Sequence, residues 1–346
     1  MPANVPTSDD LAATQEALAA AIAAVDAEND SRSAGLSSAL TAVGSSLTAL
    51  TLRVDALTSR VTKLEATPPP VDPPPTWKPA FAGDLAPGTV RWGGAVGGNV
   101  DPTTRWETPA GKAFGVRRTF WQWTQHATLI STAKADLARG RLPWVSTKVP
   151  SWSAVATGTY DAQIIDLITK LQALGKPVWL SVHHEPEGDG VAADWRAMQA
   201  RIFDIRNTLK ATNVAFAPIL MSWSWEAGVD RWRDWWAPES ADFIGIDHYA
   251  DDPKQPNKKA EAYARWTACV QATKDAGKKV AVAEWGTYGT EAAIIDSYYD
   301  WCVANNIIGV AYFDSNLNAP NGSWELKTPL YEAFIARLKD ARSVVV

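Results

Sequence analysis

Cysteine is nearly missing from this 346-residue chain. Two residues, Cys269 and Cys302, cannot build a disulfide framework or a cysteine-rich metal centre, and both fall in helical patterns where buried thiols are expected. Histidine is scarce as well, at four residues. His183 and His184 are adjacent, so on a strand they point to opposite faces, and no His-x-His or Glu-x-x-His spacing occurs. A metal centre built from His183, His184, His248 and Asp247 is therefore not expected, nor is any cofactor, and His126 reads as a loop or surface residue. No apolar run reaches transmembrane length, so membrane insertion is not expected. Met1 to Pro6 has neither a basic n-region nor an apolar h-region, so no secretory signal is expected. Excess positive charge is absent too; a net charge of −5 argues against nucleic acid or an anionic membrane as partner.

What the chain has in excess is tryptophan, eighteen residues. Such a content serves either a Trp-rich core or a cleft lined with flat platforms for sugar rings. At 46% hydrophobic and 21% charged, the sequence suits one large domain with an accessory region.

The accessory region comes first. From Ser8 to Ala66 there is no Trp, Tyr or Phe, and Ala, Ser, Thr and Leu dominate. Leu36, Leu40, Val43, Leu47, Leu50, Val54, Leu57, Val61 and Leu64 follow in alternating steps of four and three. That is a heptad seam with Leu40 at a and Val43 at d. Leu11, Leu18, Ile22 and Val25 extend it upstream, and the eleven residues from Val25 to Leu36 insert a stutter that unwinds a supercoil near Asn29 to Gly35. A coiled-coil stalk over residues 8–66 is expected, in preference to an amphipathic helix packed on the domain. Residues 67–79, Thr-Pro-Pro-Pro-Val-Asp-Pro-Pro-Pro-Thr-Trp-Lys-Pro, end the helix and form a semi-rigid polyproline linker.

Beyond Ala80 short apolar runs alternate with helical patterns. Strands are expected at Thr89–Trp92, Ala113–Phe120, Leu142–Thr147, Pro177–His184, Asn213–Met221, Phe243–His248, Lys279–Glu284 and Ile307–Phe313. Helical patterns cover Asp161–Leu174, Asp194–Lys210, Ala260–Ala276 and Glu291–Asn305 between them. Eight such units over residues 80–340 predict a parallel (β/α)8 TIM barrel. A doubly wound open sheet fits less well, since no Gly-x-Gly-x-x-Gly phosphate loop is present.

Two of the strands end in a carboxylate: Leu-Ser-Val-His-His-Glu at Glu185, and Val-Ala-Val-Ala-Glu-Trp-Gly at Glu284. A carboxylate at the end of a buried strand is costly to desolvate and calls for partners or a task. The C-terminal rim of a barrel is where its chemistry sits. Trp121, Trp123, Trp223, Trp225, Asp247, Tyr249 and Asp314 fall on the same rim, with Trp285 beside Glu284 and Trp324 in the loop after the eighth strand. The two-residue period groups Val280 and Val282 with Glu284, and Gly245 and Asp247 with Tyr249, so that Glu284 and Tyr249 point into the mouth together. One protonated and one ionised carboxyl group about 5–5.5 Å apart would suit a retaining glycosidase. His184 is expected to support Glu185, and Glu187, two residues on with the same parity, is a rival acid.

His184-Glu185 ending the fourth strand, Ile244-Gly245-Ile246-Asp247-His248-Tyr249 in the sixth and Glu284-Trp285-Gly286 ending the seventh resemble glycoside hydrolase family 26, the β-mannanase group of retaining (β/α)8 glycosidases. The resemblance implies that Glu185 is the general acid/base, Glu284 the nucleophile, and Tyr249 a contact of the nucleophile. The chain departs from it at the eighth strand, which ends Ala311-Tyr312-Phe313-Asp314 in place of a Trp, with Trp324 as the replacement. Arg60-Val61-Thr62-Lys63-Leu64-Glu65 resembles the motif of parallel three-stranded coiled coils, which implies a homotrimer. Stalk, linker and glycosidase-like barrel together resemble a bacteriophage minor tail protein or tail fibre. That likeness implies a virion location, other tail proteins as partners and a host cell-surface polysaccharide as target. A glycan-binding barrel that does not cut, and a bacterial β-mannanase-like enzyme, are the alternatives.

Overall fold

The computed structural model describes residues 8–66, 77–226, 228, 231–249, 259–316 and 323–346. Most of the expected linker, residues 67–76, lies outside them. The chain divides into two compact units, the second being Trp77–Val346.

The first unit is one α-helix, Ser8–Ala66. It is rich in Ala, contains no Pro, and runs unbroken through Asn29 to Gly35. From Leu18 to Val54 the seam residues are 55–72% exposed. Between them, Thr41, Ser45, Thr48 and Thr51 donate their hydroxyls to carbonyls four residues back. By length and composition alone, Ala12–Asp55 is apolar enough to cross a membrane, contrary to the sequence expectation. Alanine raises the mean hydropathy, whereas the large apolar side chains keep to one stripe. The expected Arg60–Glu65 pairing involves side chains outside the described set.

The second unit is a ring of parallel strands: β1 (Arg91–Val96), β2 (Val116–Gln122), β3 (Leu142–Lys148), β4 (Val178–Val182), β5 (Val214–Phe216), β6 (Ile219–Met221), β7 (Phe243–Tyr249), β8 (Lys279–Gly286) and β9 (Gly309–Asp314). β5 and β6 are two halves of the expected fifth strand, parted at Ala217-Pro218 because proline has no N–H for the ladder. The Ala217 N–H still donates to the Leu180 carbonyl of β4 (3.0 Å), and the Gly245 N–H of β7 donates to the Pro218 carbonyl (2.9 Å). This segment therefore joins both edges and closes the sheet.

Helices Asp161–Gln172, Ala192–Thr208, Lys259–Asp275 and Ala292–Ala304 follow the strands near the expected bounds, and His126–Ala138 and Leu330–Lys339 join them. The β1–β2 crossover has only short helical turns. A buried ion cluster fixes it instead: Arg141 reaches Glu107 (2.6 Å), Asp136 (2.8 Å) and Asp101 (2.9 Å), and Arg117 also reaches Asp136 (2.8 Å).

The larger core lies between strands and helices; a smaller one fills the barrel with Trp144, Trp179 and Phe243. Gly309 leaves room for one of these indoles, since a Cβ there would sit 2.8 Å from the Trp179 ring. Seven tryptophans, among them Trp92, Trp195 and Trp266, are fully buried, so much of the tryptophan excess serves the core. Both cysteines are free and buried.

Candidate active site

Along β2, Val116 faces the barrel interior, and Arg118 and Phe120 continue on that face toward the C-terminal mouth. Along β7, Gly245, Asp247 and Tyr249 do the same, as their spacing predicts. β8 departs from the expected alternation. Ala281 and Ala283 face inward, while Val280 and Val282 belong to the outer core. Val282 pairs with Ile246 but Glu284 pairs with Asp247, so a β-bulge at Ala283 turns Glu284 into the mouth.

β4 uses a different device. Ser181 faces inward, and regular alternation would send His183 inward and His184 outward. Instead His183 and Glu185 both adopt left-handed backbone, at φ 53° and φ 51°. Such residues are rare outside glycine and persist when their surroundings pin them. Here the His183 N–H is held by the Thr147 carbonyl of β3 (2.8 Å), and the Glu185 N–H by the Ile219 carbonyl of β6 (3.1 Å). His183 turns out against the Trp152 ring (4.8 Å), and His184 turns in. The same break ends the parity between Glu185 and Glu187. Glu187 leaves the strand and accepts the Met221 N–H (2.8 Å), and burial pushes its carboxyl up to about 7.

Glu185, Asp247 and Glu284 each bring an oxygen within 4.8 Å of the others. Their environments differ. Glu284 accepts the Tyr249 hydroxyl at Oε2 (2.7 Å) and Arg118 Nη2 at Oε1 (3.3 Å). Burial, and then the Glu284 charge, pushes Glu185 up to about 8. The same two causes raise Asp247 well above the carboxylate range. Apart from a carboxyl–carboxyl contact with Glu185, no protein donor reaches an Asp247 oxygen among the described residues. His184 accepts from or donates to Ser146 Oγ at Nδ1 (2.9 Å), with Nε2 4.0 Å from Glu284. Burial, reinforced by Arg118, holds its imidazole neutral. Burial also raises the Tyr249 phenol, keeping it a donor.

Three carboxylates at this spacing are a possible donor set for a hard cation. The Arg118 guanidinium already places a positive charge against them. Arg118 escaped the sequence reading, although a doubled Arg inside an apolar strand is a visible signal. It is fully buried, lies 5.3 Å over the Trp144 ring, and so rests on the indoles that fill the barrel.

The predicted aromatic rim is only partly assembled. Trp324 packs on Tyr249 (4.7 Å) and Tyr288 (3.8 Å) and covers the end of β8. Gly286 permits this, since a Cβ there would sit 2.6 Å from the Trp324 ring. Trp121 is half-buried on the outer side of β2, with Nε1 donating to Thr119 (2.9 Å). Trp123 packs on Tyr160 (5.9 Å), and Trp223 lies 6.0 Å beneath Arg231. Trp285 is corrected from platform to core: it points away from the mouth, stacked 3.9 Å from Tyr298 and 1% exposed. Trp225 is likewise buried, stacked on Trp232 (5.2 Å). Asp314 also faces outward, like Tyr312 before it. It accepts the Leu326 N–H (2.8 Å) and pairs with Arg105 (3.0 Å), while burial brings it up to about 6. His248 is buried against Trp266, and His126 is half-buried beside Trp123.

No protein-family model matches this chain, and no curated protein does. Solved structures do. A modular endo-β-1,4-mannanase of glycoside hydrolase family 26 from Cellulomonas fimi superposes with a TM-score of 0.55 at 16% identity, over 74% of this chain and 72% of that one. A family 26 β-mannanase from Bacteroides ovatus gives 0.53 at 15% identity, over 74% and 90%. The Bacillus subtilis mannanase gives 0.51 at 12% identity, over 77% and 89%. Residues Trp77–Val346 therefore form a (β/α)8-type barrel with the fold of family 26 glycoside hydrolases.

Proposed function

We propose that the barrel is a retaining glycoside hydrolase with Glu284 as nucleophile and Glu185 as general acid/base. The observation that carries this reading is the pairing of two nearby carboxyl groups in opposite settings: an oxygen of each lies within 4.8 Å, and only Glu284 receives two donors. Glu284, held by the Tyr249 hydroxyl and the Arg118 guanidinium, attacks the anomeric carbon and displaces the leaving oxygen, which takes the Glu185 proton. Glu185, now a carboxylate, removes a proton from water, whose oxygen then releases the sugar from Glu284 with net retention. Tyr249 and Arg118 hold the Glu284 oxygens in line, neutral His184 stands 4.0 Å from Glu284, and Trp324 packs against Tyr249.

The order of N-terminal helix, Pro-rich segment and barrel in the sequence supports a reading of the substrate class. We read the chain as a phage tail component whose barrel cleaves a host cell-surface polysaccharide. Mannan, named for the similar structures, is the second candidate substrate.

The test is reducing-end release from host envelope polysaccharide and from β-mannan by the wild type, Glu185→Ala and Glu284→Ala, with proton NMR of the first-formed anomer. Release by the wild type alone, with retention, is expected. Inversion would overturn the nucleophile assignment. Intact glycan binding without release by any of the three proteins would make the barrel an adhesin.

A further inference from the structure

Given the roles proposed for Glu185 and Glu284, we infer that a cleft on the rim beside Glu185 is a subsite for a neutral, hydroxyl-bearing sugar unit on the leaving side of the scissile bond. The cleft has a volume of about 390 Å³ and opens between the loops after β3 and β4, where Lys148, Trp152, His183, Asp189, Val191 and Asp194 line it. Pockets that hold small ligands begin at roughly 300 Å³. Its position follows from the backbone after β4. The left-handed break that brings His184 into the mouth places His183 on the outer side, in the wall of this cleft. His183 and Glu185 are two residues apart, so their Cα atoms lie within ~7.6 Å of each other. A proton donor stands beside the leaving oxygen, so the rim that carries Glu185 borders the sugar being released.

A sugar ring carries hydroxyls around its edge and C–H groups on its faces, and the lining offers partners for both. Val191, 62% exposed, and Pro150 supply apolar surface. The Lys148 ammonium lies 3.6 Å from Asp189 and has donors to spare. Asp194, half-buried in the first turn of the helix Ala192–Thr208, has no hydrogen-bond or ion-pair partner among the described residues, so its oxygens are open to hydroxyl donors. The charges select the class of sugar. Two carboxylates, Asp189 and Asp194, stand against one ammonium, and burial, reinforced by Lys148, keeps His183 neutral. A uronate, phosphate or sulfate would meet more negative charge than positive. A neutral hydroxyl edge can donate to the carboxylates and accept from the ammonium at once.

Affinity electrophoresis of the full chain carrying Glu284→Ala, which leaves the glycan intact, reads binding directly, with host envelope polysaccharide or β-mannan in the gel. Adding Lys148→Ala or Asp194→Ala should weaken the apparent Kd by about 10-fold, the loss expected for one hydrogen bond to a charged group. Lys170→Ala, which removes the same charge from the helix Asp161–Gln172, should not. In the active protein the two cleft variants should raise KM on polysaccharide by a similar factor. An aryl glycoside, which has no sugar on its leaving side, should be affected far less. Equal loss on both substrates, or retardation indifferent to Lys148→Ala and Asp194→Ala, would overturn the subsite. Lys148-dependent retardation by alginate, a polyuronate, would overturn the neutral class. Retardation that depends on Lys148 and Asp194, with no cleavage by the wild type, would sink the glycosidase reading and keep the cleft as a glycan site.

Discussion

Glu284 and Glu185 both reach one barrel mouth, yet their surroundings differ. Glu284 is turned in by a bulge and met by a phenol and a guanidinium. Glu185 is turned in by a left-handed backbone, and burial beside the Glu284 charge raises it to about 8. In the proposed mechanism, two identical side chains take different work from their neighbours alone.

Breaking the Glu284 side should have the largest effect. Glu284→Ala should lower kcat/KM by roughly 10⁴-fold or more on every substrate, since no other group can form the covalent intermediate. Glu185→Ala should cost about 10²–10⁴-fold on polysaccharide but far less on an aryl glycoside whose leaving group needs no proton. An equal loss on both substrates would remove the acid role from Glu185. Tyr249→Phe takes one donor from Glu284 and should cost about 10-fold or more in kcat, by the strength of a hydrogen bond to a charged group.

The pH profile sharpens the same contrast. In the proposed mechanism Glu185 acts protonated, so activity should fall as pH rises through about 8, and this limb should vanish in Glu185→Ala. Stability carries a matching sign. The folded value of about 8 lies above the ordinary 4.5, so the native state retains a proton that the unfolded chain has released. Native stability therefore declines between those values, and Glu185→Gln should gain Tm over the wild type increasingly from pH 5 to pH 8 in thermal melts. The smallest effect belongs to Glu187→Gln, which keeps the oxygen that accepts the Met221 N–H and should change kcat/KM by less than about 3-fold. A larger loss would restore Glu187 as the acid.

The barrel was legible because apolar runs and helical patterns alternate, and the two carboxylates because each interrupts an apolar strand. The means by which they reach the mouth was hidden. Parity along β8 predicts the right destination for Glu284 on the wrong count, since an extra residue at Ala283 reverses it. Parity after β4 fails for His184 and Glu187, because nothing in His-His-Glu signals two left-handed residues. Composition overstated the aromatic rim: an indole in a strand reads the same whether it faces sugar or the helix behind it, as Trp285 shows. The N-terminal helix itself was legible, since residues 8–66 hold no Pro and are rich in Ala.

One hydrogen bond ties the proposed proton donor to the closure of the ring. Where Pro218 interrupts the fifth strand, the next contact toward β4 is the Glu185 N–H on the Ile219 carbonyl. The peptide of the proposed proton donor is thus a rung of the ring itself. A chain whose barrel stands open at this seam lacks a positioned donor, however complete its other strands are. In refolding, turnover should appear only once the last edge has docked, which makes the reaction a built-in gauge of closure.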